Sequence, residues 1–140
     1  MLVVAASLIL PVTVLPIPAY AAVFESNQTP ATMRAGTVYT IPVRIRNAGR
    51  QTWQHAGANP VHLSYHWQDS NGTISVYDGL RTALAADVIY GSYDEVNARV
   101  LAPPNPGSYT LVWDMVREGF FWFANQGSLP WEVRVTVVGT

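Results

Sequence analysis

The stretch YTLVWDM, residues 109–115, decides the fold class because its apolar side chains recur at every second position. In an extended chain, Tyr109, Leu111, Trp113 and Met115 lie on one face, and the residues between them lie on the other. A period of two residues with one strongly apolar face is typical of a β-strand that packs on a core. The spacing therefore predicts a strand over these residues.

The same alternation recurs along the chain, with turn residues between the repeats. It is clear in TVYTIPVRIRN (37–47), VHLSYHW (61–67) and WEVRVTV (131–137), and weaker at 73–77 and 93–100. Pro42 lacks an N–H, so its position predicts an edge or a bulge. Glycine, proline, asparagine and aspartate cluster between the stretches, as in DSNG and PPNPG. Six or more short strands with frequent turns predict a β-sandwich.

Two details specify the kind of sandwich. The run APPNPGSY ends in Tyr109 at the start of a strand, where immunoglobulin-like domains carry a tyrosine corner. Leu111 then occupies the slot of the second cysteine, and Trp67 lies on the strand that carries the buried tryptophan. The sequence predicts an all-β, immunoglobulin-like antiparallel β-sandwich of about 7–9 strands that has no disulfide.

Composition excludes several functional classes. The 140 residues suit one domain, and 12% charged against 11% aromatic residues indicate a packed core. The net charge of −1 offers no broad field for nucleic acid. The absence of cysteine excludes disulfides, thiolate metal sites and a cysteine nucleophile. We expect no cofactor and no metal.

Residues 1–21 differ from the rest because they are mostly apolar and the first charge is Glu25. Ala19-Tyr20-Ala21 matches the small-x-small pattern that precedes a signal-peptide cleavage. Three interpretations stand: a signal peptide, the tail of a membrane helix, or a strand, VTVLPIP (12–18), that packs on the domain or on a neighbouring copy. The first predicts a bacterial protein at an extracellular or cell-surface location, with residues 22–140 as the folded domain; contact with a membrane is expected only through this segment.

Four tryptophan-containing motifs resemble a known family. NAGRQTW (47–53), HLSYHW (62–67), PGSYTLVW (106–113) and QGSLPW (126–131) are similar to the four-tryptophan domain, an immunoglobulin-like module of selective-autophagy cargo receptors with relatives in bacterial proteins. The resemblance covers residues 24–138 and implies a module that binds other proteins. With the alternation above, it predicts a structural core that contains the following residues: Trp53, Trp67, Tyr109, Leu111, Trp113 and Trp131.

A polar cluster is the first candidate for a binding site. Asp114 lies in the middle of a strand, where an acid needs a partner. If the two central strands are neighbours, His66 shares the outer face with Asp114, and Arg81 lies in a loop that could reach them. We expect Asp114 to pair with His66 or Arg81, either as a latch that holds the DGLRT segment or as a ligand contact.

The aromatic run at residues 120–123 is the second candidate. Consecutive strand residues point to opposite faces, so the four rings cannot all point inward. We expect Phe121 and Phe123, or Trp122 alone, to lie outside or to cover a loop. An exposed aromatic patch of this kind would contact a protein partner, a neighbouring domain or a glycan. The alternative is that the aromatic run plugs one end of the sandwich.

Catalytic patterns are weak. His62 and His66 are ~13 Å apart along one strand, too far to share a metal ion, and no G-x-S-x-G motif occurs. The sequence therefore favours a non-catalytic interaction module over an enzyme. Two alternatives remain: a self-assembling structural subunit that uses the apolar N-terminal strand, and a carbohydrate-binding appendage of a larger enzyme.

Overall fold

Two β-sheets pack face to face in the computed structural model, which describes residues 9–11 and 15–139. The smaller sheet has the strand order β1-β3-β7, and the larger has the order β2-β10-β8-β4-β5, with β6 beside β4 and β9 beside β8. The strands are β1 (Ala22–Asn27), β2 (Thr32–Arg34), β3 (Val38–Asn47), β4 (Val61–Gln68), β5 (Ile74–Val76), β6 (Thr82–Ala83), β7 (Tyr93–Leu101), β8 (Gly107–Arg117), β9 (Phe121–Trp122) and β10 (Trp131–Val138). A short 3₁₀ helix covers Phe123–Gln126.

The architecture confirms the predicted all-β, immunoglobulin-like sandwich. Ten strands are described, but β2, β5, β6 and β9 have only two or three residues, so six longer strands form the frame. Tyr109 makes the predicted tyrosine corner, because its hydroxyl donates a hydrogen bond of 2.8 Å to the carbonyl of Asn105, four residues upstream. Among the described strands, β2 alone departs from an antiparallel arrangement, because it pairs with β10 in parallel.

Pro42 is accommodated differently from the prediction. It lies in β3, the middle strand of the smaller sheet, and not at an edge. Gln28, just beyond the end of β1, donates its backbone N–H to the Pro42 carbonyl over 3.1 Å. In a strand, the N–H and C=O of one residue face the same neighbour. The missing N–H of Pro42 therefore faces the place where β1 has ended, and no ladder hydrogen bond is lost there.

The core is built on the central pair β4 and β8. Leu111 lies opposite Trp67, and Trp113 lies opposite Tyr65 on one side and Trp131 on the other. Trp67, Leu111 and Trp113 are 0% exposed, so they do not line an open pocket. A buried tryptophan removes ~200 Å² from water, which contributes ~5 kcal/mol at ~25 cal/mol/Å². The aromatic side chains thus fill the position that a disulfide would occupy.

The other predicted core residues divide into two groups. Trp53 is fully buried, where its backbone pairs with Val88 in an isolated bridge. Tyr109 and Trp131 are only partly buried and pack at the margin of the core. All six residues therefore contribute to the hydrophobic cluster, but Tyr109 and Trp131 also reach the surface.

The residues that precede β1 are attached to the sandwich. The backbone N–H groups of Arg50 and Gln51 donate to the carbonyls of Pro18 and Ala19, each over 3.0 Å. Gly49 permits this approach, because a Cβ there would lie 2.6 Å from the Ala19 carbonyl oxygen. The segment at residues 18–21 therefore packs as part of the domain, while its cleavage stays a prediction.

Most of the predicted apolar leader, and Val12–Val14 of the predicted strand, fall outside the described residues. In the part of the chain that the structure describes, no helix combines the length and hydrophobicity needed to cross a bilayer.

Candidate functional site

The predicted partnership between Asp114 and His66 is present on the outer face of the larger sheet. Strands β4 and β8 are neighbours, and Ser64 lies directly opposite Asp114, which brings His66 within reach. The Nε2 of His66 forms a hydrogen bond of 2.9 Å with Oδ2 of Asp114. His66 is 6% exposed and Asp114 only 2%, so this contact is shielded from water.

The same two side chains hold two backbone segments. His66 Nδ1 donates to the Tyr77 carbonyl, and Oδ1 of Asp114 accepts the N–H groups of Met115 (2.8 Å) and Ala124 (3.1 Å). The Tyr77 carbonyl can only accept, so Nδ1 of His66 carries a proton, and Nε2 faces Oδ2 of Asp114. Both ring nitrogens and both carboxylate oxygens of the pair therefore have protein partners, which is the arrangement of a latch.

The segment DGLRT at residues 78–82 is held by neighbours of this pair. Ser64 donates its hydroxyl to the Leu80 carbonyl, and Gly79 donates its N–H to the Tyr65 carbonyl, each over 3.0 Å. A Cβ at Gly79 would lie 2.5 Å from that carbonyl oxygen, so only glycine fits. The predicted latch therefore joins His66 to Tyr77, the residue just before DGLRT. Ser64 and Tyr65 of β4 hold the DGLRT segment itself.

Arg81 has a different partner from the predicted one. Its Nε lies 2.7 Å from Oε1 of Glu118, and a terminal nitrogen lies 3.0 Å from Oδ1 of Asp78. Its guanidinium carbon also lies 4.8 Å from the centre of the Trp122 ring. Burial disfavours the charged guanidinium, but the hydrogen bonds to Glu118 and Asp78 outweigh burial and raise the pKa of Arg81.

The carboxylate of Glu118 contacts both His62 and Arg81. His62 Nδ1 lies 3.0 Å from the same Oε1 that Arg81 contacts. Partial burial works to raise the pKa of Glu118, but the hydrogen bonds from His62 and Arg81 prevail and lower it. Glu118 thus links His62 to Arg81, and Arg81 in turn lies beside Trp122. The sequence motifs did not predict this cluster, because Glu118 lies beyond the end of β8.

Trp122 lies on the outer face but is covered. Its ring centre is 4.3 Å from that of His66 and 5.5 Å from that of Tyr77, and the residue is only 7% exposed. Trp122 therefore lies on the outer face, as expected, but its side chain is not accessible to solvent. Its ring covers the imidazole of His66.

The expected exposure of Phe121 and Phe123 is wrong. Phe123 is 0% exposed and packs edge-on against Trp53 at 5.6 Å, and Phe121 is half-buried against Tyr20 at 5.2 Å. Strand β9 ends after two residues and the 3₁₀ helix begins at Phe123, so the strand alternation no longer applies. Both rings plug the end of the sandwich, and only Phe120 of this run is exposed.

An apolar groove is the feature that the sequence motifs missed. It has a volume of about 320 Å³ and lies between the start of β1 and the segment that leads into β10. Leu129, at its rim, is 83% exposed. We call it the edge groove; it is lined by Ala22, Val23, Phe24, Leu129, Pro130 and Trp131.

Two open strand edges border the edge groove. Within the described residues, β1 pairs with β3 alone, and β2 covers only Thr136–Val138 of β10. The backbone of β10 from Trp131 to Val135 therefore has no strand on that side. The hydroxyl of Ser128 accepts the N–H of Ala22 over 2.9 Å at one end. Unpaired backbone groups beside apolar side chains suit an added strand.

Metal chemistry has no support in the part of the chain that is described. No group of three or more histidine, aspartate and glutamate side chains there is placed to hold a metal ion. His55, the remaining histidine, lies beside Asp87, whose pKa is lowered by hydrogen bonds from the backbone and the ring of His55.

No family model matches the chain, and no curated protein matches it. Among solved structures, it is similar to a family 123 glycoside hydrolase from Clostridium perfringens, with 11% identity and a TM-score of 0.41 over 78% of this chain and 22% of that chain. AvmM, which catalyses macrocyclization in alchivemycin A biosynthesis, is 9% identical with a TM-score of 0.44, over 85% of this chain and 88% of its own. The ASH/PapD-like domain 7 of human CEP192 is 12% identical with a TM-score of 0.32, over 96% of this chain and 93% of its own. With TM-scores below 0.5, these likenesses carry no argument about this chain.

Proposed function

We propose that the protein is a non-catalytic, immunoglobulin-like interaction module that binds an extended apolar segment of a partner protein in the edge groove. The observation that carries this proposal is the coincidence of exposed apolar side chains with two unpaired strand edges at one place. An added strand would gain backbone hydrogen bonds from an edge and would bury its alternate side chains in the groove.

The composition of the edge groove supports an apolar ligand. No residue of its lining is charged, and Val23 and Leu129 are both exposed. An exposed, contiguous apolar surface of this kind is typical of a contact site. β1 has six residues, which corresponds to ~20 Å of extended chain. A partner segment of similar length would match it.

The polar cluster supports a structural role more than a binding role. The carboxylate of Asp114 and both nitrogens of His66 already have protein partners, and Trp122 covers them. Opening the cluster to a ligand would leave buried polar groups without their partners, which is costly. We therefore assign Asp114, His66, Arg81 and Trp122 to holding the surface loops.

The carbohydrate-binding alternative loses its main support for the same reason. Sugar recognition by stacking requires an accessible aromatic face, and the Trp122 ring contacts His66, Tyr77 and Arg81 instead. Phe121 and Phe123 are turned into the sandwich end. The proposal accordingly takes a protein segment as the ligand.

Membership of the four-tryptophan family and an exported or cell-surface location are part of the proposal. The family assignment is supported by the four motifs and by the burial of Trp53, Trp67 and Trp113. The location is supported by the apolar character of residues 1–21 where they act as a cleaved signal peptide, and this support is lost where the segment stays on the mature chain. Mass spectrometry of the native N-terminus, together with cell fractionation, tests the location.

Site-specific photo-cross-linking in the producing cell tests the binding function. A photoreactive phenylalanine analogue is placed at Leu129, and a matched control carries it at Tyr90, which is exposed elsewhere. We expect Leu129 to cross-link to an apolar segment of a partner, mapped by mass spectrometry, and Val23→Asp to abolish the product. Equal labelling from Leu129 and Tyr90, or no product from Leu129, would contradict the proposed function.

A further inference from the structure

We infer that the occupant of the edge groove is the apolar N-terminal segment of a second copy of this chain, so that copies join tail to groove. The inference rests on the proposed function and names its partner. The segment in question is ILPVTVLPI, residues 9–17. Its complement is the edge groove beside β1 and β10.

The chemistry of the segment matches the groove. Residues 9–17 carry no charge, and five of the nine are β-branched, which favours an extended strand. Pro11 and Pro16 disfavour a helix but are tolerated in a strand at a sheet edge. An uncharged, β-prone segment meets an uncharged groove with open backbone groups.

The described residues of the segment are uncovered in the single chain. Ile9, Leu10 and Leu15 are 88%, 70% and 80% exposed. Large aliphatic side chains so close together in sequence are normally covered by protein or lipid. Their exposure leaves a burial gain to be realised when they enter a groove.

The path of the chain favours the groove of another copy. The backbone at residues 18–21 is hydrogen-bonded to Ala48, Arg50 and Gln51, which follow β3. It is therefore fixed on the β3 side of β1, whereas the edge groove lies on the opposite side, toward β10. The side chain of Tyr20 adds to this attachment through Phe121 and Phe123. The Arg50 guanidinium also donates to the Ile17 carbonyl over 2.9 Å, so the residues upstream of Ile17 are the ones that would reach a neighbour.

Assembly of this kind is heterologous, because the tail of one copy meets a different surface on the next. Such contacts build rings where the rotation closes and open filaments where it does not. Every internal copy would donate one segment and accept one. The proposal requires residues 1–21 to remain on the mature chain.

Complementation between two variants tests the inference with the full 140-residue chain. The tail variant carries Leu10→Asp and Leu15→Asp; the groove variant carries Leu129→Asp; the control carries Ile89→Asp, another exposed aliphatic position. Sedimentation velocity measures association, and thermal melting checks that each variant is folded.

We expect the unsubstituted chain and the control to associate, and each of the two variants to associate at least tenfold more weakly. Mixing them should restore a one-to-one pair, because one supplies an intact groove and the other an intact tail. A monomeric unsubstituted chain, association that persists in both variants, or no pair on mixing would overturn the inference.

The two proposals fail separately. A native protein that begins at Ala22, or a Leu129 cross-link to a different protein, overturns self-assembly and leaves the proposed function standing. Loss of the Leu129 cross-link itself removes both.

Discussion

His66 and Asp114 form a buried hydrogen bond of 2.9 Å between neighbouring strands of the larger sheet. Removing one member leaves the other polar side chain buried without this partner. We expect Asp114→Ala to lower the free energy of unfolding by about 3–5 kcal/mol. The double variant His66→Leu/Asp114→Leu should cost clearly less than the sum of its single variants in urea melts. Additive single costs would contradict a coupled pair.

The indole nitrogens of Trp67 and Trp53 predict different costs for the same substitution. Trp67 Nε1 donates to the Leu101 carbonyl over 3.0 Å, whereas the buried Trp53 Nε1 has no partner among the described residues. Trp67→Phe leaves the Leu101 carbonyl without its hydrogen-bond donor, whereas Trp53→Phe removes a donor that has no partner. We expect Trp67→Phe to cost about 1 kcal/mol more than Trp53→Phe. Chemical denaturation of both variants measures the difference, and the reverse order would argue against this assignment.

Gly49 predicts how firmly the N-terminal segment is held. A Cβ at Gly49 would lie 2.6 Å from the Ala19 oxygen and 2.7 Å from the Ala21 nitrogen, both backbone atoms that cannot rotate away. We expect Gly49→Ala to lower the free energy of unfolding by about 1–3 kcal/mol. It should also speed hydrogen exchange at the amides of Arg50 and Gln51.

Gly139→Ala is the matched control for this test, because its Cβ would meet only the ring of Pro106 at 3.9 Å. Equal exchange in both variants would show that residues 18–21 are not held against Gly49.

Glu118 predicts a dependence of stability on acid pH. Its folded-state pKa lies below the ordinary value of 4.5, since His62 and Arg81 stabilise the carboxylate against partial burial. Protonation of Glu118 therefore favours the unfolded chain. The contribution of Glu118 to the free energy of unfolding is fully present above pH 4.5 and is lost as the pH falls through the folded-state pKa.

We expect Glu118→Gln to destabilise the domain by up to about 1 kcal/mol at pH 7, given the partial exposure of the pair. The difference between the two proteins should shrink as the pH is lowered below 4.5. Urea melts across this range measure it, and a constant difference would contradict the assignment. Glu132→Gln, on the exposed face of β10, serves as a control.

Local alternation predicted the strands and the core because each face of a strand is set by its own sequence. Leu111 and Trp113 point inward for that reason, and the pairing of Asp114 with His66 followed once β4 and β8 were taken as neighbours. The prediction for Phe123 was wrong because β9 ends at Trp122 and a 3₁₀ helix begins at Phe123. Trp122 makes no side-chain capping hydrogen bond, so the sequence does not mark this helix start.

Features that depend on sheet order could not be predicted in this way. Arg81 meets Glu118 and not Asp114 because the segment after β5 returns across β4 toward the far end of β8. The edge groove depends on which strands have no neighbour, and that follows from the whole topology. The residues around Leu129 in the sequence do not mark it as part of a binding site. Its exposure beside β1 identifies it as one.

The placement of Leu111 opposite Trp67, where other immunoglobulin-like domains carry a disulfide, has a consequence for how the chain matures. Immunoglobulin-like domains that are closed by a cystine need an oxidant and lose stability when a thiol reductant opens the bond. Here the fold forms without electron transfer, because the chain has no cysteine. Its melting temperature should be the same with and without dithiothreitol, and it needs no disulfide isomerase to reach the native state.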